Sequence, residues 1–204
     1  KNDGVLPLDA SKYKKIMVTG INADDQNILG DWSAPEKDEN VTTILEGLKM
    51  IAPDTQFDFV DQGWDPRNMD PKKVAEAAAR ARTADLNIVV AGEYMMRFRW
   101  NDRTDRSDID LVGLQNELIE KVAASGKPTI LILVNGRPLG VQWAADNLPA
   151  IVEAWAPGMC GGQAVAEILY GKVNPSAKLA ITIPHIVGQL QMIYNHKPSQ
   201  YFHP

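Results

Sequence analysis

The sequence predicts one doubly wound α/β domain over residues 1–204, built on a mostly parallel six-stranded sheet with helices on both faces. Three observations predict it. Strand-length apolar bursts alternate with helix-length segments along the whole chain. Most of those bursts are continuous Val/Ile/Leu runs, as expected when a strand is covered on both faces. A chain of 204 residues fills one such core and is too short for an eight-fold barrel with a second domain attached.

The strands are expected at 15–20, 56–60, 86–92, 129–134, 151–155 and 178–183. After the first, residues 42–52 carry Ile44, Leu45, Leu48 and Ile51 at helical spacing. Pro71 opens a second helix whose inner stripe, Val74, Ala77, Ala78 and Ala81, is small enough to lie close on a sheet. Leu114, Leu118 and Val122 mark a third helix that stops at Ser125-Gly126, with Pro128 just beyond. Pro138 is expected to start a short fourth helix, and 162–170 a fifth that ends at Gly171.

Two connections break this rhythm. Links in such a fold usually take about 2–6 residues, whereas 21–41 and 93–112 each run to about twenty. With the common strand order 2-1-3-4-5, both leave the carboxyl ends of neighbouring strands at the topological switch point, where open α/β sheets bind ligands. The chain length of these loops alone therefore locates a candidate site.

Composition excludes several alternatives. Apolar residues are 45% of the chain and charged residues 23%, an ordinary globular balance. The net charge of −5 is spread without basic blocks, which argues against nucleic acid as a partner. No apolar run nears the roughly 18 residues that span a bilayer, so no membrane insertion is expected. The lone Cys160 makes no internal disulfide and leaves the redox compartment open. The chain opens on Lys1 and closes on Pro204 within irregular polar sequence, which reads as a piece of something longer.

The first loop holds Leu29-Gly30-Asp31-Trp32-Ser33, a tryptophan among small and polar residues. Such an indole either stacks on a sugar ring or plugs the loop against the core. The second loop, from Glu93-Tyr94-Met95-Met96 to Asp102-Arg103-Thr104-Asp105-Arg106-Ser107-Asp108, alternates carboxylates and guanidiniums beside aromatics and methionines. It reads either as a solvated salt-bridged surface or as a place where a carboxyl, partly desolvated and held by Arg, does acid/base work.

Gly158-Met159-Cys160-Gly161-Gly162 has the form of a nucleophile elbow with Cys for Ser, which makes a Cys160-dependent hydrolase a remote alternative. Glu167 is the one carboxylate after Cys160 and sits inside the next helix, so the glycines are read as a helix entry beside a buried thiol. No glycine-rich phosphate loop follows the first strand, which disfavours nucleotide cofactors. His185, His196 and His203 lack zinc-site spacing, and no metal or other cofactor is expected.

Several strings, in order and over nearly the whole chain, resemble the second domain of family 3 glycoside hydrolases, which include β-glucosidases and β-xylosidases. They are Lys1-Asn2-Asp3-Gly4-Val5-Leu6-Pro7-Leu8, the Trp32 string, Asn135-Gly136-Arg137-Pro138-Leu139, Glu153-Ala154-Trp155 with Pro157-Gly158, Gly171-Lys172-Val173-Asn174-Pro175-Ser176, Val187-Gly188-Gln189-Leu190 and Tyr194-Asn195-His196-Lys197-Pro198. The resemblance implies an α/β sandwich that works with an N-terminal barrel domain carrying the aspartate nucleophile. It implies a retaining mechanism on a β-linked glucoside or oligosaccharide, and a periplasmic or secreted location.

By the same resemblance Trp32 lies beside the leaving-group sugar and the second loop carries the general acid/base. Read back from Arg106-Ser107-Asp108, the family's acid/base glutamate falls on Asp102, one methylene shorter. Asp105 and Glu93 are the alternatives if the loop is shifted, and a non-catalytic carbohydrate-binding or domain-packing module is the alternative if the function is lost. Met159-Cys160 stands where the family usually has Gln-Glu, Ala180 and Gln191 where it has proline, and His185 where it has arginine.

Overall fold

The computed structural model describes residues 1–34, 36–95 and 106–189. Five strands, β1 (Lys15–Thr19), β2 (Gln56–Val60), β3 (Leu86–Gly92), β4 (Thr129–Val134) and β5 (Ala150–Glu153), form one sheet in the order β2-β1-β3-β4-β5. All four pairings are parallel. The order puts the change in winding direction between β1 and β3, as the loop argument requires.

The register keeps the two faces in phase. Val18 pairs with Ile88 and Ile88 with Ile130, and these side chains face α1 (Ile44–Ile51) and α5 (Gly161–Leu169). Met17, Val89, Leu131 and Leu133 face the other way, onto α2 (Pro71–Ala81), α3 (Gln115–Ala123) and α4 (Gln142–Asn147). Every residue of β3 and of β4 is buried, and each large apolar side chain so placed contributes about 1.5–3 kcal/mol. That double burial explains why these strands read as unbroken apolar runs.

Local signals end the helices near where the sequence marks them. Thr43 caps α1 with a capping box shared with Glu46, and Asp70 caps α2, with Pro71 as its first residue. Gly126 takes φ +75° after α3. The fourth helix begins later than Pro138. Gly140 is bridged to Asp110 and its N–H donates to the Ile109 carbonyl at 2.9 Å, so 138–141 serve as a tie to the second long loop and the helix starts at Gln142.

The sixth strand expected at 178–183 is not formed. Those residues are irregular, with Leu179 and Ile181 more than half exposed. A strand needs a free edge, and the edge of β5 is already taken. Asn2 bridges Ala150 antiparallel, Lys1 and Ile151 exchange backbone bonds at 3.1 Å, and the Asp3 N–H donates to the Pro149 carbonyl at 2.7 Å. Among the described residues, no helix is long and apolar enough to cross a membrane.

Candidate functional site at the carboxyl edge of the sheet

Glycines open the site. At the carboxyl end of β1, Gly20 has φ +115° and a Cβ there would fall 2.1 Å from the Val90 carbonyl oxygen. At the end of β3, Gly92 has φ +140° and a Cβ would fall 1.9 Å from the Val134 carbonyl oxygen. Only glycine lets each chain leave its strand by crossing so close over its neighbour. The Gln115 carboxamide at the head of α3 fixes the second exit, giving to the Gly92 carbonyl and taking from its N–H, both at 2.9 Å.

The two long loops are then joined to each other. Asn27, fully buried in the first loop, donates to the Glu93 carbonyl and accepts from the Met95 N–H, both at 2.5 Å. Asn22 accepts from the Asn27 amide at 2.7 Å and donates to the Glu93 carbonyl at 3.3 Å. The Glu93 N–H still donates to the Val134 carbonyl of β4 at 3.0 Å, and these amides satisfy the Glu93 carbonyl and the Met95 N–H beyond it, since buried backbone groups must be satisfied. The segments following β1 and β3 therefore meet on one rim.

Glu93 is buried and its carboxylate is fully engaged. Oε1 lies 2.8 Å from Arg137 Nε and 3.7 Å from Arg106 Nη1, while Oε2 accepts from the Gly136 N–H at 3.3 Å. Arg106 also donates to the Asp110 carbonyl. Glu93 and Arg106 bracket the residues between them, so this ion pair closes the base of the second loop, and Arg137 from the β4 exit completes it. A general acid must reach a substrate oxygen within about 2.6–3.2 Å, and a carboxylate held inward by two guanidiniums suits anchoring better than that task. Asp102 and Asp105 lie outside the described residues, as do His196 and His203.

Trp32 is 83% exposed, so it does not plug its loop onto the core. The loop beneath it is anchored instead, with Gly30 against Ala156 and the Gly158 N–H donating to the Ile28 carbonyl at 2.8 Å. The indole is thereby presented to solvent on a fixed base.

Features that sequence reasoning missed lie on the same rim. Trp155, at the exit of β5, has φ +52°, a conformation that costs a bulky residue of order 1–3 kcal/mol and gathers at functional sites. Its N–H donates to Glu153 at 3.2 Å and its carbonyl accepts from the Asn135 N–H at 3.2 Å. Burial raises the Glu153 carboxyl above its ordinary pKa, an effect that the bonds from Trp155 and Asn135 oppose. Trp64, after β2, packs against Tyr94. Tryptophan count alone was the available signal, because nothing local distinguishes a rim indole from a core one.

Cys160 is exposed, correcting the expected buried thiol. It precedes α5 with φ −93°, an ordinary backbone rather than the strained turn of a nucleophile elbow. The glycines beside it have a packing role: a Cβ on Gly162 would fall 1.8 Å from the Thr43 carbonyl oxygen, and one on Gly47 2.1 Å from that of Gly162. A cavity of about 180 Å³ opens between α3 and α4, lined among others by Asp110, Trp143 and His185.

This arrangement matches known proteins. The family model described as the glycosyl hydrolase family 3 C-terminal domain matches residues 1–203. A β-xylosidase of Formosa agariphila is 35% identical over 98% of the chain, and a periplasmic β-glucosidase of Salmonella typhimurium 32% identical over 94%. The chain spans 28% and 27% of the lengths of those two relatives. The solved β-glucosidase of Listeria innocua in complex with isofagomine superimposes with a TM-score of 0.83 at 29% identity, over 96% of this chain and 26% of that one. A β-glucosidase of Erythrobacter marinus gives 0.80 at 34% identity, over 95% and 29%. With the fold shared and the family model matched over residues 1–203, the chain belongs to the C-terminal domain family of the family 3 glycosyl hydrolases.

Proposed function

We propose that this domain supplies the general acid/base and part of the leaving-group side of a retaining β-glycosidase, and that it cleaves glycosidic bonds only together with a barrel domain. The observation that carries the reading is the joining of two long loops on one rim through Asn27, with an exposed Trp32 on one; the resemblance assigns the acid/base segment to the other. The substrates are β-linked glucosides or xylosides, in line with what the relatives are called, and the location is periplasmic or secreted.

In this mechanism Asp102 protonates the leaving oxygen while a carboxylate of the barrel attacks the anomeric carbon. Asp102 then takes a proton from the water that releases the sugar, and the two carboxyl groups stand about 5–5.5 Å apart. Trp32 offers a ring face to the leaving-group sugar. The alternative is a non-catalytic carbohydrate-binding or domain-packing module, favoured by one feature: aspartate at the acid/base position is one methylene short, and misplacement by about 1 Å costs on the order of a hundredfold.

Kinetics of the full-length enzyme separate the two. On β-glucosides with poor leaving groups, Asp102→Asn lowers kcat about 10²–10⁴-fold if Asp102 is the acid/base. Added azide then restores turnover on activated substrates and yields the glycosyl azide. Unchanged kcat in the variant would leave the domain as a module. The 204-residue chain alone is expected to hydrolyse neither β-glucosides nor β-xylosides, and clear turnover by it contradicts the half-site reading.

A further inference from the structure

The second long loop starts between two flanks. Residues 93 and 95 are tied by Asn27 to the first loop, and Met95 joins the core on the α1/α5 side. Tyr94, between them, faces the opposite way, as alternation along an extended chain requires. There it meets Trp64, with ring centroids 5.0 Å apart at 51°. Tyr94 is buried, whereas Trp64 is 43% exposed.

The turn that carries Trp64 is rigid for reasons independent of that contact. Asp61 accepts from the Gly63 N–H at 2.7 Å, and Gly63 takes φ +74°. Asp65 caps the next turn through the Arg67 N–H at 2.9 Å. Farther on, Gly113 lies so close to Pro66 that a Cβ on it would fall 1.7 Å from the Pro66 carbonyl oxygen. The turn after β2 is thus packed against both ends of the second loop, at Tyr94 and at Gly113. An amphipathic ring fixed on a stiff turn and backed by a second aromatic offers the apolar face that takes the C–H surface of a pyranose.

We propose that Trp64, backed by Tyr94, is a second sugar-ring platform, on the flank of the acid/base loop opposite Trp32. It takes a pyranose unit of an oligosaccharide leaving group that is longer than one ring. This inference rests on the glycosidase reading, and it makes chain length of the substrate the property that Trp64 controls.

The test uses the full-length enzyme, wild type against Trp64→Ala and Trp64→Phe. With β-linked gluco- and xylo-oligosaccharides of increasing length, Trp64→Ala is expected to lower kcat/KM about three- to tenfold once the leaving group exceeds one sugar. Hydrolysis of an aryl glycoside, with its single ring beyond the cleaved bond, stays unchanged, and Trp64→Phe recovers most of the loss. Equal loss on all substrates together with a lower melting temperature assigns Trp64 to packing against another domain and overturns the proposal. So does an absence of effect on every substrate. Calorimetric binding of the same oligosaccharides to the Asp102→Asn and Asp102→Asn/Trp64→Ala proteins reads the platform without turnover. A wild-type enzyme inactive on all glycosides refutes the glycosidase reading, while this binding difference still decides for or against the platform.

Discussion

Glu93 is the residue on which the second loop closes, because its one carboxylate answers two guanidiniums and a backbone N–H in a buried setting. Removing its charge takes from Arg106 and Arg137 the carboxylate they share, and breaking a buried pair from one side typically costs more than the pair contributes. Glu93→Gln is therefore expected to destabilise the domain by about 2–4 kcal/mol, measured by chemical denaturation. Arg137→Gln on its own also destabilises, and the double variant loses less than the sum, with a coupling of at least about 1 kcal/mol. A coupling near zero means the two side chains do not depend on each other. Residue types pointed to a desolvated carboxyl held by Arg in this loop, but not to which carboxyl or which guanidiniums. Glu93 was one acidic residue among several in a charged loop, and its partner Arg137 lies forty-four positions away in a different motif. The same holds for Asn27, whose bonds to Glu93 and Met95 bridge sequence separations that no local pattern reports.

At the scale of elements, one helix crossing sets the frame for the first loop. Gly47 and Gly162 bring the α1 and α5 backbones into contact, and the residue before the α1 cap is tied to the crossing: Gly162 N–H donates to the Thr42 carbonyl at 3.0 Å, and Thr42 N–H to that of Met159 at 2.8 Å. Thr43 also donates its hydroxyl to Asp24 in the first loop at 2.6 Å. In an ordinary helix, Gly→Ala stabilises by about 1 kcal/mol. Here the added Cβ meets backbone, which cannot swing aside, so Gly162→Ala is expected to destabilise by a net of about 2 kcal/mol in thermal or urea unfolding. A stabilised variant would show that the helices have room to part. The elements themselves were largely legible: among the described residues, the five strands and five α-helices fall within a few residues of where periodicity, Pro71 and Gly126 place them. Loop length also pointed to the rim where the two long connections meet, because both leave adjacent strands of the observed order. Pro138 misled, since a good first helical residue was recruited to a loop-to-loop tie. The run at 178–183 misled for a related reason: apolar alternation reports propensity and says nothing about whether a sheet edge remains to be joined.

For the whole molecule, that last point becomes a statement about edges. A parallel sheet of five strands has two, and an uncovered one is a template for pairing with another chain. The β5 edge is covered by the first three residues through backbone bonds at Lys1 and Asp3, and Asn2 locks that segment by accepting from the Gly4 and Leu6 N–H groups and donating to the Leu6 carbonyl. The consequence for the site is direct, because β5 ends in Glu153 and leads to Trp155, whose left-handed backbone depends on both of its neighbours holding position. A chain shortened to begin at Gly4 loses the three backbone hydrogen bonds to this edge, each of order 1 kcal/mol. For a domain of this size that corresponds to a melting temperature lower by about 6–12 °C. The exposed edge should also raise concentration-dependent association, read by light scattering at constant temperature. If the shortened chain melts at the original temperature and stays monodisperse, the first three residues only decorate the edge, and the strain at Trp155 is held from within the rim alone, by Asn135 and Glu153.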